Sequence, residues 1–217
     1  MHPRVKAAVR PVVMAVNRPL ATARGRKAME RAPRPFRLEI GGLEQRAGWV
    51  VTNVNAITPL YLDATQTWPI EDGALSRVYA DNVIEHVPLA AGRAMLAEAH
   101  RCLQPGGVIR LVTPDIGKHV QLYLSGAPEV REEVGSYYRR LGLTVEHPVD
   151  LVRIPIGSFG HHTGYVYDFE TLRKELLAAG FHDVVSCEIN ESAHEDLAGI
   201  DQRSGESAVQ MAVEATR

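Results

Sequence analysis

Apolar residues along this chain fall into short runs broken by polar or glycine-rich turns, and the period of those runs changes from segment to segment. Ser76–Ala80 and Val108–Thr113 are short, mainly apolar runs, the pattern of strands buried on both faces of a parallel sheet. Arg37–Ile40 and Trp49–Val54 read as two earlier strands. Between the central pair, Leu89, Met95, Leu96, Ala99 and Leu103 line one face of a helix. Glu85-His86 opens that helical segment, and Gln104-Pro105-Gly106-Gly107 closes it. Upstream, Val5, Val9, Val12, Val16 and Leu20 recur at helical spacing, so residues 4–20 are expected to form an amphipathic helix that Pro11 bends or splits. Ala32–Pro35 is a break. Downstream, residues 116–167 lose clean periodicity, with helices expected over Lys118–Leu124 and Arg131–Leu141. Asp168 or Thr171 can cap a helix through Ala179 that Gly180 ends. Phe181–Ile189 and Ala208–Ala215 then read as a closing pair of strands, with 191–207 as a polar connection.

This order leaves polar residues at successive strand tips: Asp63-Ala64, Asp81-Asn82 and Asp115. A parallel sheet gathers such tips along one edge, where ligands bind. The expected organisation is one α/β domain over 36–217 with an insert at 116–167, preceded by an arm or amphipathic lid over 1–35. Length agrees, since 217 residues suit one full core.

Charge sharpens the boundary. Residues 1–37 hold ten Lys/Arg against one acid, Glu30, while the rest carries 14 basic and 25 acidic residues. A basic arm on an acidic body fits an intramolecular clamp, an anionic partner or a loosely ordered leader, and residues 4–20 are a candidate for peripheral membrane contact. The acidic body argues against a nucleic-acid partner, which calls for a broad basic face. No apolar run approaches the ~18–20 residues that span a bilayer. Cys102 and Cys187 are read as free thiols, so a reducing, cytoplasmic setting is expected.

The constellation from Asp63 to Asp115, with its Leu-Gln-Pro-Gly-Gly turn and Ile-Glu-His tripeptide, resembles the second half of the class I S-adenosylmethionine-dependent methyltransferase domain. The resemblance covers residues 36–115 well and 168–217 more loosely. It implies a Rossmann-like fold: a mostly parallel sheet, an antiparallel C-terminal strand and helices on both faces. It also implies S-adenosylmethionine as cofactor. Glu39 would meet the ammonium, Gly41-Gly42 would admit the backbone, Asn53 would accept from the ribose, Asp63-Ala64 would meet the adenine, and Asp81-Asn82 would lie near the methionine half. Two departures stand out. The usual glycine loop and its helix shrink to Gly41-Gly42 plus six residues before Trp49, a shortened first crossover. A subgroup associated with polysaccharide or glycolipid assembly reads the same way, Leu38–Gly42 followed by Gly48-Trp49. Asn53 also stands where an acid is expected, and Asn55 or Glu44 are substitutes.

An oxygen acceptor needs a base beside the methyl group. Asp115 at its strand tip, His86, and His161 or His162 in Gly160–Gly164 are the candidates. Adjacent histidines on an extended segment face opposite ways, so at most one of the latter pair is expected at the site. A divalent cation such as Mg, held by Asp81, Asp115 and a histidine, is a further candidate cofactor. Tyr123, Tyr137, Tyr138, Tyr165 and Tyr167 favour stacking on a ring. The expected activity is O-methylation of a sugar or polysaccharide hydroxyl. Alternatives are a small-molecule O-methyltransferase and a degenerate, non-catalytic binding module. A homodimer is compatible with either.

Overall fold

The computed structural model describes residues 3–201 and 207–217. Six strands make one sheet in the order β2-β1-β3-β4-β6-β5: β1 Phe36–Ile40, β2 Trp49–Thr52, β3 Leu75–Asp81, β4 Leu103–Pro114, β5 His182–Cys187 and β6 Gln210–Thr216. The β2-β1-β3-β4 pairs are parallel, and β6 runs antiparallel to both its neighbours. This is the mixed Rossmann-like sheet that the resemblance implies. The helices are α1 Pro3–Arg31, α2 Leu89–Cys102, α3 Ile116–Ser125, α4 Pro128–Arg140, α5 Asp150–Gly157 and α6 Phe169–Ala178. Asp168 caps α6 by accepting from the Thr171 amide at 2.7 Å.

Side chains alternate cleanly across the sheet, and its two faces differ. Leu38, Ile40, Val78, Ala80, Ile109, Leu111, Met211 and Val213 point to one face and join Met95, Leu96 and Ala99 of α2 and Leu172 and Leu176 of α6 in the main core. Helices flank the sheet unevenly. The opposite face carries Trp49, Val51, Tyr79, Val108 and Val112, covered by Leu197 and Ile200 of the β5–β6 connection. Arg110 is buried on that face and donates to Asp201, Glu214 and the carbonyls of Glu188 and Glu191. A buried charge is tolerated only when paired and hydrogen-bonded, and this arginine ties the connection to the sheet.

Several elements differ from expectation. The amphipathic helix runs unbroken to Arg31, through Pro11 and Pro19; the side chains of Val5, Val9 and Val12 lie outside the described residues. Its second half docks through Ala21, Gly25 and Met29, one turn apart and all buried. At Gly25 an added Cβ would lie 2.8 Å from the Tyr61 carbonyl oxygen, and the Asn17 amide donates to the carbonyls of Ala56 and Thr58 at 3.1 and 2.9 Å. The central helix ends at Cys102 rather than at the glycine turn. Leu103 turns extended, pairs with Leu75 and is fully buried, so residues 103–107 join β4. The strand implied before Asp63 shrinks to a single parallel bridge, Asn53 to Tyr61, because Pro59 interrupts a run already too short for a ladder. Helix α5 lies where the sequence shows no periodicity. Cys102 and Cys187 are free thiols, and no helix among the described residues is long and apolar enough to cross a membrane.

Candidate active site

The first crossover, residues 41–48, contains no helix. Gly41 leaves β1 at φ +82°, where a side chain would strike Val83, and a Cβ at Gly42 would lie 2.6 Å from Oε1 of Glu39. Glycine is therefore required at both positions. The turn is braced by Asn53, whose amide donates to the carbonyls of Gly41 (2.7 Å) and Gly42 (3.1 Å) and accepts from the Asn55 amide (2.9 Å). Asn53 thus holds the glycine turn with both its donors, a role an acid could not fill because a carboxylate only accepts.

Three cavities adjoin at the C-terminal edge of the sheet, and all three are lined by Asn82. The first, about 430 Å³, lies between β1, β3 and the crossover, with Glu39, Gly41, Gly42, Arg46 and Asp81 in its wall. Arg46 pairs with Glu39 at 2.7 Å and also donates to the Ile200 carbonyl; Tyr79 donates to Asp81 at 3.0 Å. Arg46 was not singled out from the sequence, since a cation in a short polar turn gives no signal of its own. The second cavity, about 260 Å³, shares Gly41 and Asn82 with the first and adds Asn53, Asp63, Ala64 and His86. One carboxylate oxygen of Asp63 accepts from the amide and hydroxyl of Thr65. The third, about 350 Å³, shares Asn82 and His86 with the second and is walled by Tyr137, Tyr138, Phe159, His161 and Gln210. Asn82 itself stands at φ +50°, and its Oδ1, like Oε1 of Gln210, is buried with no hydrogen-bond partner among the described residues. Gln210, too, gave no sign in the sequence; it begins a strand and becomes a site residue only through β4–β6 pairing.

These residues fit S-adenosylmethionine at the first two cavities. Carboxylates at Glu39, Asp63 and Asp81 suit a cationic ligand, and the glycine turn admits close approach. His161 is buried, and its Nδ1 lies 2.7 Å from the Pro155 carbonyl. A carbonyl only accepts, so Nδ1 carries the proton and Nε2 keeps its lone pair. The His86 ring meets it edge-on at 4.6 Å. Desolvation lowers the pKa of buried His161 and of the partly covered ring of His86, with the neighbouring His161 adding to the effect on His86, so both are neutral near pH 7. Gly164 brings them together, because only a glycine lets that turn lie on the backbone of Glu85 and His86.

Other candidates sit elsewhere. Asp115 is drawn away from the crevice: its carboxylate caps α3, accepting from the amides of Gly117 (2.8 Å) and Lys118 (3.2 Å), and it lines a separate open cavity of about 600 Å³ beside α3 and α6. Burial raises its pKa. Asp81 and Asp115 line different cavities and are not brought together around a cation. His162 is exposed, on the turn opposite His161.

Residues 44–111 match the family model described as a methyltransferase domain. No curated protein matches the chain significantly. Among solved structures, the chain is similar to the CurJ carbon methyltransferase (18% identity over 93% of this chain and 55% of that one, TM-score 0.47). It is also similar to a SAM-dependent methyltransferase from Archaeoglobus fulgidus (18%, 92% and 94%, 0.46) and to a phosphoethanolamine N-methyltransferase 2 from Haemonchus contortus (14%, 93% and 52%, 0.45). The chain spans about half the length of the first and third. With TM-scores below 0.5, these likenesses add nothing to the strand order itself. The family match begins just after the glycine turn and spans β2, β3, α2 and most of β4, and over that stretch the chain is similar to a methyltransferase domain.

Proposed function

We propose that this chain transfers a methyl group from S-adenosylmethionine to a hydroxyl oxygen of a small ring-bearing molecule, with a saccharide as the leading acceptor and a phenol or other small alcohol next. The observation that carries this is the meeting of three cavities at Asn82. Two are lined by carboxylates and the glycine turn, and the third by aromatic rings, two imidazoles and unpartnered carboxamide oxygens. S-adenosylmethionine supplies the methyl carbon when bound. Glu39 and Asp81 favour its cationic half, Asp63 its adenine end. Across Asn82, Tyr137, Tyr138 and Phe159 offer faces to a ring, and Oδ1 of Asn82 and Oε1 of Gln210 accept from its hydroxyl or amino groups. Alignment of the two ligands is the protein's main contribution. The acceptor's proton must also leave, and in this reading the lone pair on Nε2 of His161 takes it, with His86 beside it.

Calorimetry with S-adenosylhomocysteine tests the cofactor half: 1:1 binding is expected, lost in Asp63→Ala. Transfer of label from methyl-labelled S-adenosylmethionine to a panel of monosaccharides, glycosides and phenols tests the acceptor half. No homocysteine-product binding at millimolar concentration would instead leave a non-catalytic module.

A further inference from the structure

We infer that Glu85, His86 and His161 form a binding site for one divalent transition-metal ion at the inner end of the acceptor cavity. A carboxylate oxygen of Glu85 and a ring nitrogen of each histidine lie within 4.8 Å of one another. Glu85 is fully buried. One of its oxygens accepts from the Thr113 hydroxyl at 3.0 Å, while the other, Oε1, has no partner among the described residues. A buried carboxylate calls for a positive neighbour, yet no arginine or lysine pairs with Glu85 among the described residues.

The histidines supply what a cation needs. The Pro155 carbonyl holds Nδ1 of His161, and a hydrogen bond at one ring nitrogen that orients the other is how metal-ligating imidazoles are fixed. Its neighbour His86 stands edge-on at 4.6 Å. Metal-to-ligand distances near 2.0–2.2 Å would need these three side chains to close by roughly 1 Å. Two imidazoles and a carboxylate suit zinc, manganese or iron better than magnesium or calcium, which prefer all-oxygen sets. Three protein ligands leave coordination positions open, and His86 and His161 both line the acceptor cavity, so acceptor oxygens can fill them. An ion here would use the imidazole lone pairs, and acceptor activation would pass from proton uptake to polarisation by the cation. Ion binding itself does not depend on the proposed methyl transfer; only its use in activation does.

The test uses the full chain stripped with a chelator and titrated separately with Zn²⁺, Mn²⁺, Mg²⁺ and Ca²⁺, with Co²⁺ as a spectroscopic probe. One Zn²⁺ or Mn²⁺ per chain is expected, with a visible Co²⁺ spectrum of low-symmetry coordination. His161→Gln and Glu85→Gln should each weaken binding about ten-fold or more, whereas His162→Gln, one residue away and exposed, should leave it unchanged. Because buried Glu85 can be needed for folding, exposed His86→Gln provides a second variant with the same expected loss. Absence of stoichiometric metal, or affinity unchanged in both His86→Gln and His161→Gln, overturns the site. S-adenosylhomocysteine binding measured on the same samples separates this failure from failure of the cofactor assignment.

Discussion

The cofactor half and the acceptor half of the crevice are built on opposite rules. Around the glycine turn the polar groups satisfy one another: Asn53 with the carbonyls of Gly41 and Gly42, Glu39 with Arg46, Asp63 with Thr65, and Tyr79 with Asp81. Toward the acceptor cavity, polar atoms of Gln210 in its wall, of Glu85 next to His86, and of Asn82 where the three cavities meet are buried without partners among the described residues. Unmade buried hydrogen bonds each cost about 1–3 kcal/mol. The first half is therefore set before its ligand arrives, and the second carries an unpaid cost that a ligand can relieve. The halves should respond differently to mutation.

The largest expected effect belongs to the acceptor half. His161→Ala should lower kcat by about 10²-fold or more while leaving the Kd of S-adenosylhomocysteine within about two-fold, because the imidazole does not line the two cofactor cavities. Stopped or single-turnover assays beside calorimetry check both numbers. An equal loss in cofactor affinity would erase the distinction between the halves.

Next comes the brace. If Asn53 served the ribose, Asn53→Asp would strengthen binding, since a carboxylate accepts more strongly than an amide. As a brace it should do the reverse, because the carboxylate would face the carbonyls of Gly41 and Gly42 with no donor to offer. A loss of about ten-fold in S-adenosylhomocysteine affinity is expected, equivalent to roughly 1.4 kcal/mol, with a lowered melting temperature. Gain of affinity would return Asn53 to the ribose.

These two residues also show what the sequence makes legible. The strands at 36–40, 49–52, 75–81 and 108–114 announce themselves because burial on both faces leaves an apolar run. The glycine turn is equally visible, since φ +82° at Gly41 demands a residue without a side chain. The pairing of His86 with His161 is not, because 75 positions separate them and only the close packing of Gly164 on Glu85 joins the segments. Asn53 and Asp115 were legible as polar tips, but type alone cannot tell a group that faces ligand from one that holds its own backbone.

The smallest effect concerns Asp115, whose carboxylate serves two amides of α3 from outside the crevice. Removing an N-cap costs about 0.5–2 kcal/mol, so Asp115→Ala should lower the melting temperature modestly, and Asp115→Ser, which restores a capping oxygen, should recover most of it. Neither change should alter kcat by more than about two-fold, since a base would account for about 10² or more. A kcat that collapses in both variants, with serine restoring stability but not turnover, would move the proton acceptor to Asp115. It would also place the acceptor molecule in the open cavity beside α3 rather than in the one that His161 lines.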